Sequence, residues 1–303
     1  MVSRRRVLAW GLGGLGAAVV AGTGGAELIL HGVLPGKSSL ERLTGGCDVA
    51  TPTLAEAAVG PSTSGTFDSA ARQRSVGYSI AYPPGHGPGS QLPLVLALHG
   101  YGGNHTNALS DLSLGQALAL SVGGTPLPPM ALVAADGGGG YWHAHPAPGA
   151  DDPMGMLVDE LIPMCQKLGL GQPPQRIGAI GISMGGYGAL LLAEQHPGLL
   201  SAVAAISPAV WTTYGEARGA NAGAFASAAD FAAHDIIARA SSLGATAVRI
   251  ASGKDDPFHP GVEVLARALP AGATVVSTKG CHTNGFELSQ EPDSLAFLAA
   301  HLA

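Results

Sequence analysis

Ile177–Ala189 reads Ile-Gly-Ala-Ile-Gly-Ile-Ser-Met-Gly-Gly-Tyr-Gly-Ala. Arg176 to Ile182 is a short, almost unbroken apolar run of the kind that forms a strand buried on both faces. Gly185 to Gln195 has the length and pattern of a helix, and His196-Pro197-Gly198 stops it. Ser183 therefore falls on a strand-to-helix turn, inside Gly181-Ile182-Ser183-Met184-Gly185, a G-x-S-x-G pattern. Glycine supplies 46 of the 303 residues, so the pattern by itself recurs by accident. Its position between a strand and a helix is what gives it weight. A sharp turn needs small residues at 181 and 185, where backbones approach closely. The helix that follows directs partial positive charge at the serine. Ser183 is thus a candidate nucleophile.

Working outward, the same alternation recurs. Ser75–Tyr82, Leu92–Leu98, Met130–Ala135, Leu200–Ile206, Ala247–Ala251 and Thr274–Thr278 read as strands. Ala108–Val122, Gly155–Leu168, most of Ala222–Leu243, Val262–Leu269 and Ser294–Leu302 read as helices. Apolar strands alternating with helices predict an α/β fold, with a mostly parallel central sheet covered by helices on both faces. Ligands of such sheets bind at the carboxyl ends of the strands, and each candidate residue lies at such an end.

A serine hydroxyl needs a base to take its proton, and the base needs a carboxylate to orient it. Of the five histidines after Ser183, His282 alone follows a strand and precedes the last helix, so it is the candidate base. The loop Ser252-Gly253-Lys254-Asp255-Asp256-Pro257-Phe258 supplies the acid. Either aspartate could serve; Asp256 is favoured because Pro257 fixes the loop after it. Two N–H donors are also required where negative charge develops on a carbonyl oxygen. They are expected from Met184, which follows the nucleophile, and from Tyr101 in the loop His99-Gly100-Tyr101-Gly102-Gly103. His99 itself reads as a packing or hydrogen-bonding residue. Tyr141 and Trp142, in a loop after a strand, are candidate pocket-lining residues, with simple loop packing as the competing reading. Asp151-Asp152 reads as a helix cap ahead of Pro153. For Trp211 and Phe225, core packing is favoured over a lid. His143 and His145 lack the partners of a metal set, and no metal is expected.

Leu98-His99-Gly100-Tyr101-Gly102, the run Gly181–Ala189, the Gly253-x-x-Asp256 loop and His282 together resemble the putative-esterase group of α/β hydrolases. That group includes esterase D (S-formylglutathione hydrolase) and the mycolyltransferases. Tyr141-Trp142-His143 and Asp159-Glu160-Leu161 fit it as well, and the likeness spans about residues 74–302. The resemblance implies an α/β-hydrolase fold and carboxylic-ester or thioester hydrolysis, or acyl transfer, without metal or cofactor. Thr283-Asn284-Gly285-Phe286 follows His282 where S-formylglutathione hydrolase has a His-Ser-Tyr run, so that substrate is not carried over. The expectation is a serine carboxylic-ester hydrolase working through an acyl-enzyme on a small-molecule or lipid ester. The alternatives are a cell-envelope acyltransferase and a non-catalytic protein that keeps the fold to bind a lipid or partner.

Composition bounds these readings. Hydrophobic residues make up 46% and charged residues 12%, enough apolar surface for a sizeable core. The net charge is −6, and no basic stripe extends beyond Arg4–Arg6, which argues against nucleic acid. Arg4-Arg5-Arg6 ahead of an uncharged Gly/Ala-rich run reads as a twin-arginine-type export signal or an N-terminal membrane anchor over residues 1–26. Residues 27–70 read as a linker or arm, and 71–303 as the catalytic domain. The expected location is extracytoplasmic. Of Cys47, Cys165 and Cys281, at least one must be unpaired.

Overall fold

The computed structural model describes residues 47, 49, 59–110, 114, 118–119, 121–122, 125–145, 151–174 and 176–302. The signal or anchor read at 1–26, and most of the arm, lie outside the described residues. Eight strands form one sheet: β1 (Ser62–Ser69), β2 (Arg74–Ala81), β3 (Leu94–Leu98), β4 (Ala131–Ala135), β5 (Ile177–Ile182), β6 (Ala202–Ile206), β7 (Ala247–Gly253) and β8 (Thr274–Thr278). Their spatial order is β1-β2-β4-β3-β5-β6-β7-β8. β1 and β2 are antiparallel to each other, β2 is antiparallel to β4, and the pairings from β4 to β8 are parallel.

The central strands β3 to β6 are buried at every position. That is why they read as unbroken apolar runs: a parallel sheet covered on both faces leaves no polar side. Alternate residues feed two cores. Leu94, Leu96, Leu98, Val203 and Ala205 face one layer, with Met156, Leu157 and Leu161 and with the helix α3 (Met184–Gln195). Val95, Ala97, Ala204 and Ile206 face the other, beneath the last helix, α7 (Asn284–Leu302). Ahead of α3 in the chain come α1 (His105–Ser110) and α2, in which Pro153–Gly155 and Ile162–Lys167 flank a π-helical stretch at Met156–Leu161. Three more helices follow: α4 (Tyr214–Ala220), α5 (Ala228–Ala233) and α6 (His259–Ala268). This is the α/β-hydrolase arrangement expected from the sequence. No helix among the described residues is long and apolar enough to cross a membrane.

Three expectations need correction. Ser62–Ser69 is an edge strand, β1, not linker; it only half-buries alternate residues up to the buried Ser69, so its Ser, Thr and Gly content hides it. The stretch 222–243 is not one helix: after α4 it holds only α5 and the start of the 3₁₀ turn Ala240–Ala245. Ser227 caps α5 through its hydroxyl, and the segment is divided by the turns around Asn221 and Asp235. The helix read over 108–122 does not reach Val122: Leu114 is helical and its carbonyl accepts the Leu118 N–H, but Ser121–Val122 pairs with Thr125–Pro126 as a short hairpin.

Candidate active site

Ser183 sits on a strained turn, with φ 52° and ψ −118°. The glycines around it are there for space. A Cβ on Gly181 would lie 2.2 Å from the Gly185 carbonyl oxygen, and one on Gly185 would lie 1.9 Å from that of Leu98. The elbow is anchored on the neighbouring strand: Ser183 N–H donates to Ile206 O, and Ala209 N–H donates to Ser183 O, both at 3.0 Å. α3 starts at the next residue, so the Met184 amide belongs to the first turn, whose N–H groups lack intrahelical acceptors.

His282 lies in the connection from β8 to α7. Its Nε2 is 2.9 Å from Ser183 Oγ, and its Nδ1 is 2.8 Å from Asp256 Oδ2. Asp256 is buried at the end of β7, and its other oxygen accepts the Phe258 N–H at 2.9 Å. Three side chains from three strand ends thus form one hydrogen-bonded chain. Asp255 is half-buried, and its N–H donates to Gly280 O at 2.9 Å; it is Asp256, not Asp255, that meets His282. The Phe258 ring packs edge-on against His282, centroids 5.1 Å apart, a contact the sequence reading missed. The run Pro257-Phe258 directly after the acid was the available signal.

A cleft of about 490 Å³ opens over Ser183 and His282, walled by Gly100–Gly103, Asn107 and Ile182. Tyr101 is on this wall, with its side chain 66% exposed. A second cavity, of about 430 Å³, is lined by Val210, Trp211, Thr212, Pro257 and Phe258 among others. Phe258 is therefore shared between that cavity and the His282 contact.

Tyr141 and Trp142 do not line the cleft. Trp142 is fully buried, donates through Nε1 to His99 O, and packs on the His99 ring at 4.9 Å. α3 makes room for it at Gly188, where a Cβ would lie 2.5 Å from the indole. Tyr141 packs on Trp211, Tyr187 and Phe225, and burial pushes its phenol up to about 12. Both positions are core, as are Trp211 and Phe225. His99 is structural: its Nε2 accepts the Gly137 N–H at 2.9 Å, so Nδ1–H donates to Gly100 O at 2.8 Å. That pair of bonds fixes the base of the Gly100–Gly103 loop. Asp152 caps α2 by accepting from Gly155 N–H, while Asp151 holds Arg72.

Among the described residues, His143, Asp230 and His234 bring ligand atoms within 4.8 Å of one another. The His143 and His234 rings are stacked at 4.0 Å, and both nitrogens of His143 face backbone carbonyls, of Ala144 and Ala224. Stacked rings send their lone pairs outward in parallel planes instead of toward one point, so this geometry does not build a tetrahedral site. Burial, then His234 and His145, hold His143 down at about 4, a neutral ring in a buried stack.

A serine on a strand–helix elbow, hydrogen-bonded to a histidine and through it to a buried aspartate, on an eight-stranded α/β sheet, defines an α/β hydrolase of the serine-hydrolase type. Residues 69–274 match the family described as "Putative esterase", well over half of the chain, and the chain belongs to that family. Similar solved structures include a ferulic acid esterase, with a TM-score of 0.67 and 17% identity over 81% of this chain and 100% of that one. An S-formylglutathione hydrolase from Agrobacterium tumefaciens gives 0.63 and 20%, over 84% and 100%. MPT51 (FbpC1) from Mycobacterium tuberculosis gives 0.64 and 18%, over 80% and 100%. At these identities the likeness is one of fold. No curated protein matches the chain.

Proposed function

We propose that this protein is a serine carboxylic-ester hydrolase acting through an acyl-enzyme. The observation that carries this reading is the continuous chain Ser183 Oγ–His282 Nε2–His282 Nδ1–Asp256 Oδ2, with links of 2.9 and 2.8 Å at an elbow open to a cleft. Ser183 Oγ attacks the ester carbonyl carbon while His282 Nε2 takes its proton. Asp256 accepts from Nδ1–H, holds the useful tautomer and stabilises the imidazolium that forms. The carbonyl oxygen becomes an oxyanion between the amides of Met184 and Tyr101, the first supported by the α3 N-terminus. His282 returns the proton to the leaving alcohol. Water, deprotonated by the same nitrogen, then releases the acid.

Labelling with a fluorophosphonate probe tests the reading. Modification should be confined to Ser183 and vanish in Ser183→Ala and His282→Ala, and the wild type should hydrolyse 4-nitrophenyl esters. A folded protein that neither labels at Ser183 nor turns over any ester of a C2–C12 panel would return the chain to a binding role.

The extracytoplasmic location belongs to the same proposal. It is supported by the Cys47–Cys281 disulfide, a bond that persists in oxidising compartments, and by the arginine run ahead of the uncharged N-terminal stretch. Cell fractionation, with the Arg4-Arg5 pair replaced by Lys-Lys as a control, tests it.

A further inference from the structure

The catalytic base hangs from an edge strand of the sheet. Ser183 and Asp256 follow β5 and β7, each paired on both sides, and the Tyr101 loop follows β3, which is likewise enclosed. His282 follows β8, the edge strand opposite β1, where no residue is buried. Strands of this kind occupy the low-stability end of a native structure. The connection itself is tightly shaped: Gly280 has φ 150°, a Cβ there would lie 2.3 Å from Phe286, and Gly280 O accepts the Asp255 N–H. One covalent tie is added. Cys281, directly before His282 and fully buried, is bonded to Cys47, 234 residues earlier, with Cα atoms 5.1 Å apart.

We infer that Cys47 and Cys281 are positioning residues for His282, and that their bond gates the activity: the chain is poorly active as a dithiol and reaches full activity on oxidation. This rests on the proposed hydrolase function. The oxidation is thiol–disulfide exchange with a partner that carries a disulfide, either a dithiol oxidoreductase or a small disulfide. Two thiols of this chain become one Sγ–Sγ bond, and the partner's disulfide becomes two thiols. Two electrons and two protons pass to the partner. The third cysteine does not compete. Cys165 is buried, and burial pushes its thiol up to about 12, so it carries almost no thiolate with which to exchange.

The gate predicts a loss in kcat and not in binding, because the cleft walls Gly100–Gly103, Asn107 and Ile182 do not lie on the tethered segment. Misplacing a base costs on the order of 10- to 100-fold in rate.

The test compares the full-length oxidised protein with Cys47→Ser, and with wild type reduced by dithiothreitol. Hydrolysis of 4-nitrophenyl acetate and amide hydrogen exchange are followed in all three. Both reduced forms should lose at least about tenfold in kcat with KM little changed. Exchange should quicken across 279–284 and stay slow in β3 and β5. Returning the reduced wild type to an oxidising glutathione buffer should restore kcat. Unchanged kcat in a folded Cys47→Ser protein overturns the gate, as does unchanged exchange at 279–284, or loss of protection across the whole sheet. An oxidised wild type with no esterase activity would defeat the hydrolase reading instead, and the exchange pattern would still decide whether the disulfide positions His282.

Discussion

A Cβ placed on Gly185 would lie 1.9 Å from the carbonyl oxygen of Leu98, well inside van der Waals contact with the backbone of β3. The first turn of α3 therefore rests directly on the strand that leads into the Gly100–Gly103 loop. The elbow serine and the loop with the second amide donor are locked to each other by that contact.

Gly185→Ala should separate the two halves of the oxyanion site. Backbone cannot yield as a flexible side chain can, so the cost is at or above the usual ~1–3 kcal/mol of overpacking. We expect a lower melting temperature and a large fall in kcat, measured by thermal denaturation and 4-nitrophenyl ester hydrolysis. A variant of wild-type stability and rate would mean that β3 and α3 can part without consequence.

Asp256→Asn keeps the size of the side chain but removes the charge opposite His282 Nδ1. The amide can donate to Nδ1, which leaves Nε2 protonated and unable to accept from Ser183. Replacing the orienting acid in this way in a Ser-His-Asp triad costs about 10⁴ in kcat, and a loss of roughly 10³ or more is expected here. Asp255→Asn should stay within a few-fold of wild type, because the carboxylate oxygen on His282 Nδ1 belongs to Asp256. Equal losses in the two variants would remove Asp256 from its assigned role.

The strand–elbow–helix around Ser183 was legible in the sequence because full burial of β5 leaves an unbroken apolar run with glycine at two forced positions. The strand-end rule, with the order Ser, Asp, His, then singled out His282 among five histidines, and Pro257 favoured Asp256. What stayed hidden depends on partners distant along the chain. β1 is a half-exposed edge strand of Ser, Thr and Gly, and it looks like linker. No spacing shows that Cys47 reaches Cys281. Trp142 looks like pocket lining because it is an aromatic residue in a loop after a strand. The slot that buries it is made by Gly188 on α3, a match visible only in three dimensions.

Glu291 is fully buried on α7, and neither carboxyl oxygen has a hydrogen-bond partner. Burial raises its carboxyl from 4.5 to about 8. The folded protein therefore holds this proton over a range in which the unfolded chain has released it. Where the native state binds more protons, unfolding free energy falls as pH rises. The contribution is complete below about pH 4.5 and is lost on passing through pH 8. A shift of this size corresponds to ~5 kcal/mol across the window. Glu291→Gln should flatten the decline: close to wild type in melting temperature at pH 5, and clearly more stable at pH 8. A constant difference between the two proteins across that range would show that Glu291 is charged in the folded state.

Trp142 separates a role in packing from a role in binding. The indole fills the space between His99 and Gly188, and its Nε1–H donates to His99 O. His99 in turn holds the Gly100 carbonyl at the start of the loop that carries the Tyr101 amide. Trp142→Ala empties a fully buried site and should cost ~3–5 kcal/mol. Because the lost support lies under the loop, and not in the cleft, the kinetic effect should fall on kcat, similarly for esters of short and long acyl chains. Tyr101→Ala provides the contrast. That side chain is 66% exposed, and its amide survives the change, so stability and acetate-ester kcat should move little. A pocket-lining Trp142 would give the reverse pattern, with small loss of stability and a change in KM that depends on acyl length. Thermal melts and a chain-length series on the two variants decide between them.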